Sequence, residues 1–252
     1  MALPKLATPT YELEIPSTGN KITYRPFLVK EEKLLLLAME TNNDGEIMKA
    51  VKNIISNCVS SKLNIDDLAL FDIEYIFLNV RGKSIGENIS VKLLCEDDGK
   101  TYANVDINID DIKVVFTEGH TNHIELNDEV SIFMEYPQID IMSSMAGDEP
   151  DANFVFRIIK NAVAQIVEGE TIHERADFTE KELDEFLESL NSQQFQSIQD
   201  FFETMPKLKH EVKFKNPKTK KNNKVTLEGL NSFFAYPFHT ITWKTILELT
   251  LL

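Results

Sequence analysis

A chain of 252 residues, 42% hydrophobic and 27% charged, is long enough to bury one large core or two modest ones, so it needs neither metals nor disulfides to fold. Two cysteines, Cys58 and Cys95, exclude a disulfide framework, and no apolar run reaches the ~18 residues of a membrane span. The formal charge of −15 is uneven: residues 207–224 hold eight lysines against Glu211, a local +7, leaving −22 elsewhere, a body that repels phosphate backbones and argues against a general nucleic-acid binder.

The opening Met1-Ala2-Leu3-Pro4-Lys5 lacks the basic and long apolar segments of a secretory signal, and with so few cysteines a reducing, intracellular setting is expected. Residues 11–15 and 21–27 read as strands of a small hairpin turning through Pro16-Ser17-Thr18-Gly19-Asn20. A helix follows from Lys30 to about Thr41, with Leu34, Leu35, Leu36, Leu37 and Met39, and Gly45 marks the break after it. The next helix, about 46–60, puts Ile47, Val51, Ile54, Ile55 and Cys58 on one face, which reads Cys58 as core packing. A third helix starts at Asn64 or Asp66 and carries two apolar stripes, Leu68-Phe71-Tyr75-Leu78 and Ile73-Phe77-Val80. A helix apolar on several sides belongs at the centre of a core, and Arg81-Gly82 marks its expected end.

The period then changes to two. Ile89, Val91, Leu93 and Cys95 alternate, as do Ala103, Val105, Ile107 and Ile109, around the turn Glu96-Asp97-Asp98-Gly99-Lys100. Further alternation through Ile112, Val114 and Phe116 and through Val130, Ile132, Met134 and Tyr136 predicts one four-stranded antiparallel sheet over about 88–137. Beyond Pro150 a helix over about 151–167 buries Val155, Ile158, Ile159, Ala162, Val163 and Ile166. Thr179-Glu180-Lys181-Glu182 is a capping box ahead of Leu183, Phe186, Leu187 and Leu190, and Asn191 with Gln194 starts another helix that Pro206 stops. A lysine-rich hairpin, about 208–214 and 224–228, follows. The expected class is α+β: a helical body from 1–87 and 138–234, an inserted β segment at 88–137, and small hairpins near both ends.

Motifs for chemistry are sparse. His120 and His123 form the one close histidine pair, but no Cys-x-x-Cys or acid cluster accompanies them, so they read as loop residues rather than metal ligands. The doublets Asp66-Asp67, Asp97-Asp98, Asp110-Asp111 and Asp148-Glu149 lack the spacing of a calcium loop and read as solvated turns and caps. No Gly-x-Ser-x-Gly elbow or glycine-rich phosphate loop is present, and no catalytic residue or cofactor is expected.

Several ordered stretches carry a family resemblance. They are Leu-Pro-Lys-Leu-Ala-Thr-Pro-Thr-Tyr-Glu-Leu-Glu-Ile-Pro-Ser-Thr-Gly (3–19), Tyr-Arg-Pro-Phe-Leu-Val-Lys-Glu-Glu-Lys (24–33) and Phe-Asp-Ile-Glu-Tyr-Ile-Phe-Leu-Asn-Val-Arg-Gly-Lys-Ser-Ile-Gly-Glu (71–87). Gly-His-Thr-Asn (119–122), the run 194–210, Asn-Pro-Lys-Thr-Lys (216–220) and Leu-Glu-Gly-Leu-Asn-Ser-Phe-Phe (227–234) continue the series. Together they resemble the baseplate hub subunits of T4-like phages.

The resemblance implies a non-catalytic, chaperone-like role in assembling the baseplate hub in the cytoplasm of an infected bacterium, with hub and tail proteins as partners and no nucleic acid or membrane. Two alternatives stay open, a permanent structural subunit of the hub and a hub-associated cell-wall hydrolase. The surface expected to meet partners comprises Lys213, Lys215, Lys218, Lys220, Lys221 and Lys224 with Phe233 and Phe234; against it stand lysines that merely guard a sheet edge and phenylalanines that pack in a core. Residues 235–252 depart from the ending the resemblance implies. Back-translation read one base earlier permits that ending, so a shift of reading frame near residue 236 is expected.

Overall fold

The computed structural model describes residues 6–41, 43–139 and 152–233; Phe234 and the 235–252 tail lie outside them. The architecture is α+β, with several antiparallel sheets and helices between them. The chain divides into two compact units, one built up to Val115 and again from Lys207, the other from Phe116–Pro206.

In the first unit, β1 (Tyr11–Glu14) and β2 (Lys21–Tyr24) form the expected hairpin, and its turn is pinned where Ser17 N–H donates to Asp72 Oδ1 at 3.0 Å. Helices α1 (Val29–Glu40) and α2 (Asp44–Cys58) follow. Asn43 caps α2 by accepting the Glu46 N–H, and Val51, Ile54, Ile55 and Cys58 are buried as the periodicity predicts. α1 differs: its one fully buried side chain is Glu31, while Leu34, Leu36 and Leu37 are each 44–50% exposed. Glu31 tolerates burial because Arg25 pairs with it at 3.0 Å and the Leu28 N–H donates to it at 2.8 Å.

Helix α3 (Leu70–Ile85) is central, with Phe71, Ile73, Ile76, Phe77, Leu78 and Val80 buried on both stripes. It begins later than expected, after a short helical turn at Ile65–Asp67, and runs past Arg81-Gly82 to stop at Gly86, φ +141°. Gly82 is there for closeness rather than capping: a Cβ on it would lie 3.2 Å from Ile109 Cδ1.

The strands over 88–137 do not join into one sheet. Among the described residues β3 (Asn88–Leu94) pairs only with β4 (Tyr102–Asn108); β5 (Lys113–Val115) pairs with β10 (Lys207–Lys215), nearly a hundred residues later, and β10 pairs with β11 (Asn222–Glu228). Alternation identifies strands but not their partners, since each exposed edge can take any strand.

The second unit holds a sheet ordered β6 (His123–Glu125), β7 (Val130–Met134), β8 (Val163–Glu168), β9 (Thr171–Glu174), all antiparallel. Helix α4 (Ala152–Ala162) passes directly into β8, so the expected helix to 167 is too long. Val163, Ile166 and Val167 are β-branched; all three pair with β7, and Ile166 and Val167 pair with β9 as well, while Gly169, φ +59°, turns the chain into β9. The capping predictions hold: Thr179 and Glu182 start α5 (Glu180–Glu188), and Asn191 and Gln194 start α6 (Ser192–Thr204). Ile132, Phe154, Ile158, Leu183, Ile198 and Phe201 bring sheet and helices into one apolar cluster.

Candidate partner-binding surface

Strands β10 and β11 alternate as half-buried strands must. Leu208, Val212 and Leu227 face inward, and Glu211, Lys213, Lys215 and Lys224 face out. Lys213 and Lys224 sit directly opposite each other, an arrangement that repels by itself. Glu211 relieves it by pairing with Lys224 at 2.6 Å and Lys213 at 3.2 Å, and these hydrogen bonds hold its carboxyl below the usual range. The turn adds Lys218, Lys220 and Lys221, all exposed; Lys220 adopts φ +63° and donates its ammonium to the Pro217 carbonyl at 2.8 Å. The six predicted lysines are therefore all exposed on this one hairpin, with Glu211 pairing the two that face each other.

What fixes that turn was not legible as a motif. Asn216, fully buried, donates its amide to Asp97 Oδ1 at 2.8 Å and Asp98 Oδ2 at 3.0 Å, and its own oxygen accepts the Lys218 and Thr219 N–H groups. Asn223 donates to Asp97 Oδ1 at 2.9 Å and accepts the Asp97 N–H at 3.1 Å, while the Thr219 hydroxyl donates to Asp97 Oδ2. On the other side, the Thr101 hydroxyl and N–H and the Lys100 N–H converge on Asp98.

Bonds from Thr219, then Asn216 and Asn223, lower the Asp97 pKa, and those from Thr101, Lys100 and Asn216 lower that of Asp98 further. The Asp97-Asp98 doublet, expected to be a solvated turn, is instead the anchor of the lysine hairpin. Its carboxylate oxygens are engaged by donors, which suits a structural clamp better than a metal site, and among the described residues no group of three or more His, Cys, Asp or Glu is placed to hold a metal ion.

Phe233 does not belong to this surface. It lies in the helical turn Leu230–Phe233 and is 1% exposed, so its apolar ring contributes to packing rather than to a partner contact; Phe234 lies outside the described residues. The turn is held by the Leu230 N–H, which donates to Glu74 Oε1 at 3.0 Å, and burial pushes the Glu74 carboxyl up to about 7.

In the second unit, His120 and His123 do not converge. His123 stacks on Phe133 across β6 and β7, whereas His120 lies between Thr204 Oγ1 at 2.9 Å and the Tyr136 hydroxyl at 3.0 Å. The Thr204 hydroxyl donates to the Asp200 carbonyl at 2.6 Å, so it accepts from His120 Nδ1–H, and Nε2 is left to accept from Tyr136. That tautomer is neutral, and burial lowers the His120 pKa in keeping with it.

Charge separates the two units. Phe116–Pro206 contains twenty acidic residues against four Lys and Arg, a net −16, so the rest of the chain is close to neutral at +1. A family model described as "T4 bacteriophage base plate protein" matches residues 8–235. The chain belongs to that base plate protein family. No curated protein and no solved structure matches it. The match spans both units and includes all six lysines together with Asp97, Asp98, Asn216 and Asn223. Among the described residues, no helix of this base plate protein is long and apolar enough to cross a membrane.

Proposed function

We propose that this base plate protein is a non-catalytic assembly factor of the baseplate hub, working in the host cytoplasm and docking an acidic surface of another baseplate or tail protein on its lysine hairpin. The observation that carries the reading is the clamp: Asn216 and Asn223 hold the turn bearing Lys218, Lys220 and Lys221 against Asp97 and Asp98, so the charges are presented from a fixed frame. Pre-positioning long lysines lowers the cost of ordering a partner around them, and an exposed surface of net positive charge raises the encounter rate with an opposite one.

Reversing Lys213, Lys218, Lys221 and Lys224 to Glu tests it in co-purification with hub and tail proteins. Wild-type capture should weaken as salt rises, and the reversed protein should lose about tenfold or more in affinity while keeping its fold. Undiminished capture removes the hairpin from the interface. Mature virions separate the two roles within the hub: absence of the chain supports an assembly factor, whereas a fixed stoichiometry makes it a permanent subunit.

A further inference from the structure

Helix α1 presents a second surface, opposite in character to the lysine hairpin. Its inward side is Glu31, Leu35 and Ala38. At 100° per residue, the side directly opposite carries Val29, Lys33, Leu36, Leu37 and Glu40, a stripe spaced at four, three, one and three residues, and every member is exposed. Leu36 and Leu37 are each half exposed and Val29 is 79% exposed. Leu28 and Leu34, at 42% and 44%, widen the apolar area at its margins. Neither Lys33 nor Glu40 has an ion-pair partner among the described residues, although Lys30 nearby pairs with Glu31. Apolar side chains bracketed by unpaired charges of opposite sign are the pattern of a helix that docks on another helix.

The order of the charges selects the partner. Lys33 lies on the N-terminal side of Leu36-Leu37 and Glu40 lies equally far on the C-terminal side, so the stripe is complementary to itself when reversed. We propose that α1 docks on α1 of a second copy of this chain, antiparallel about a two-fold axis passing between Leu36 and Leu37. In that arrangement Leu36 meets Leu37 of the other copy, and Lys33 meets Glu40 of the other copy on both sides of the axis. The two contacts are related by symmetry, as an isologous interface requires. The stripe sums to zero charge, so it can be approached despite the −15 of the whole chain. A helix of 12 residues is ~18 Å long, which makes the pairing a modest interface and the dimer a rapidly exchanging one.

Sedimentation equilibrium on the full chain, up to about 500 µM, is the test. Wild type should show a monomer–dimer equilibrium. L36D with L37D should abolish it with the helical circular dichroism unchanged, because both side chains are exposed. K33E and E40K should each weaken the dimer about five- to tenfold, because each single change opposes like charges at both symmetry-related contacts. Combining K33E with E40K restores opposite charges and should recover most of the wild-type affinity. A monomer throughout the range overturns the proposal, and so does a dimer indifferent to L36D with L37D or one that the combined exchange fails to rescue. The lysine hairpin is untouched by these changes, so failure here leaves the reading of that surface standing.

Discussion

The two units of this base plate protein secure their strands by opposite means. In the first, the β3–β4 and β10–β11 turns are joined through polar atoms, with Asn216 and Asn223 closing on Asp97 and Asp98. In the second, sheet and helices share an apolar cluster, and even His120 sits among rings, centred 5.2 Å from Phe201 and 5.7 Å from Tyr136. Hydrogen bonds are directional and fix where a turn points; apolar burial is larger in energy and less particular about direction. The first unit therefore spends buried polar groups on placing a charged tip, and the second uses apolar area to hold together a unit with a charge of −16.

The largest test of that contrast is Phe201→Ala. The ring is 2% exposed and touches Phe202 edge-on at 5.1 Å and Tyr136 in a stack at 5.7 Å. Removing it should destabilise the second unit by about 3–5 kcal/mol, read as lost amide-exchange protection in β7, β8 and α6. Phe201→Leu keeps most of the apolar volume and should cost much less. If both substitutions cost the same, apolar burial is not what holds this unit.

Asn216→Ala should cost less, about 2 kcal/mol, because it leaves Asp97 and Asp98 short of a donor and frees two turn N–H groups. Amide exchange should quicken at Lys218, Thr219 and Asp97 while α3 stays protected. Exchange that rises equally through α3 would mean that the clamp and the core are one cooperative element. Asn216→Asp keeps the size but adds a third carboxylate, and should loosen the turn at least as much above the usual carboxylate range.

Local features of this fold were legible in the sequence wherever the deciding contacts are within a few residues. The capping boxes at Thr179 and Asn191, the buried stripes of α2 and α3 and the hairpins at 88–108 and 207–228 all depend on near neighbours. Features decided across long separations were not. β5 reads as a neighbour of β4 because it follows it, yet its partner is β10. Asp97 reads as a solvated turn because its donors, Asn216 and Asn223, lie 119 and 126 residues away. Val163–Val167 suits either a helix or a strand by spacing, and the neighbours on both sides decide it. Exposure of the six lysines was legible because unpaired charges rarely bury, whereas for Phe233 the sequence left a partner contact and core packing open, and its burial decides for packing.

A pH-dependent effect of comparable size separates two kinds of carboxylate within the first unit. Asp97 and Asp98 are favoured as anions: their folded pKa values lie below the unfolded ones, so their contribution is present above the usual carboxylate range and is lost as the pH falls through the folded values. Glu74 works in the other direction. Burial raises its carboxyl from 4.5 to about 7, against a lowering by the Leu230 N–H, so between those values the folded chain binds a proton that the unfolded chain has released. Stability therefore falls as the pH rises through that window, by on the order of 2 kcal/mol. Glu74→Gln removes the titration and keeps an oxygen that can accept the Leu230 N–H. It should flatten the stability profile between pH 5 and 7 and raise stability above pH 7, leaving the acid-side loss that belongs to Asp97 and Asp98. Urea midpoints measured at half-unit pH steps read this directly. An unchanged slope in the variant would show that the Glu74 carboxylate is already ionised at pH 5 and that the Leu230–Phe233 turn is held by an anion, as the lysine hairpin is.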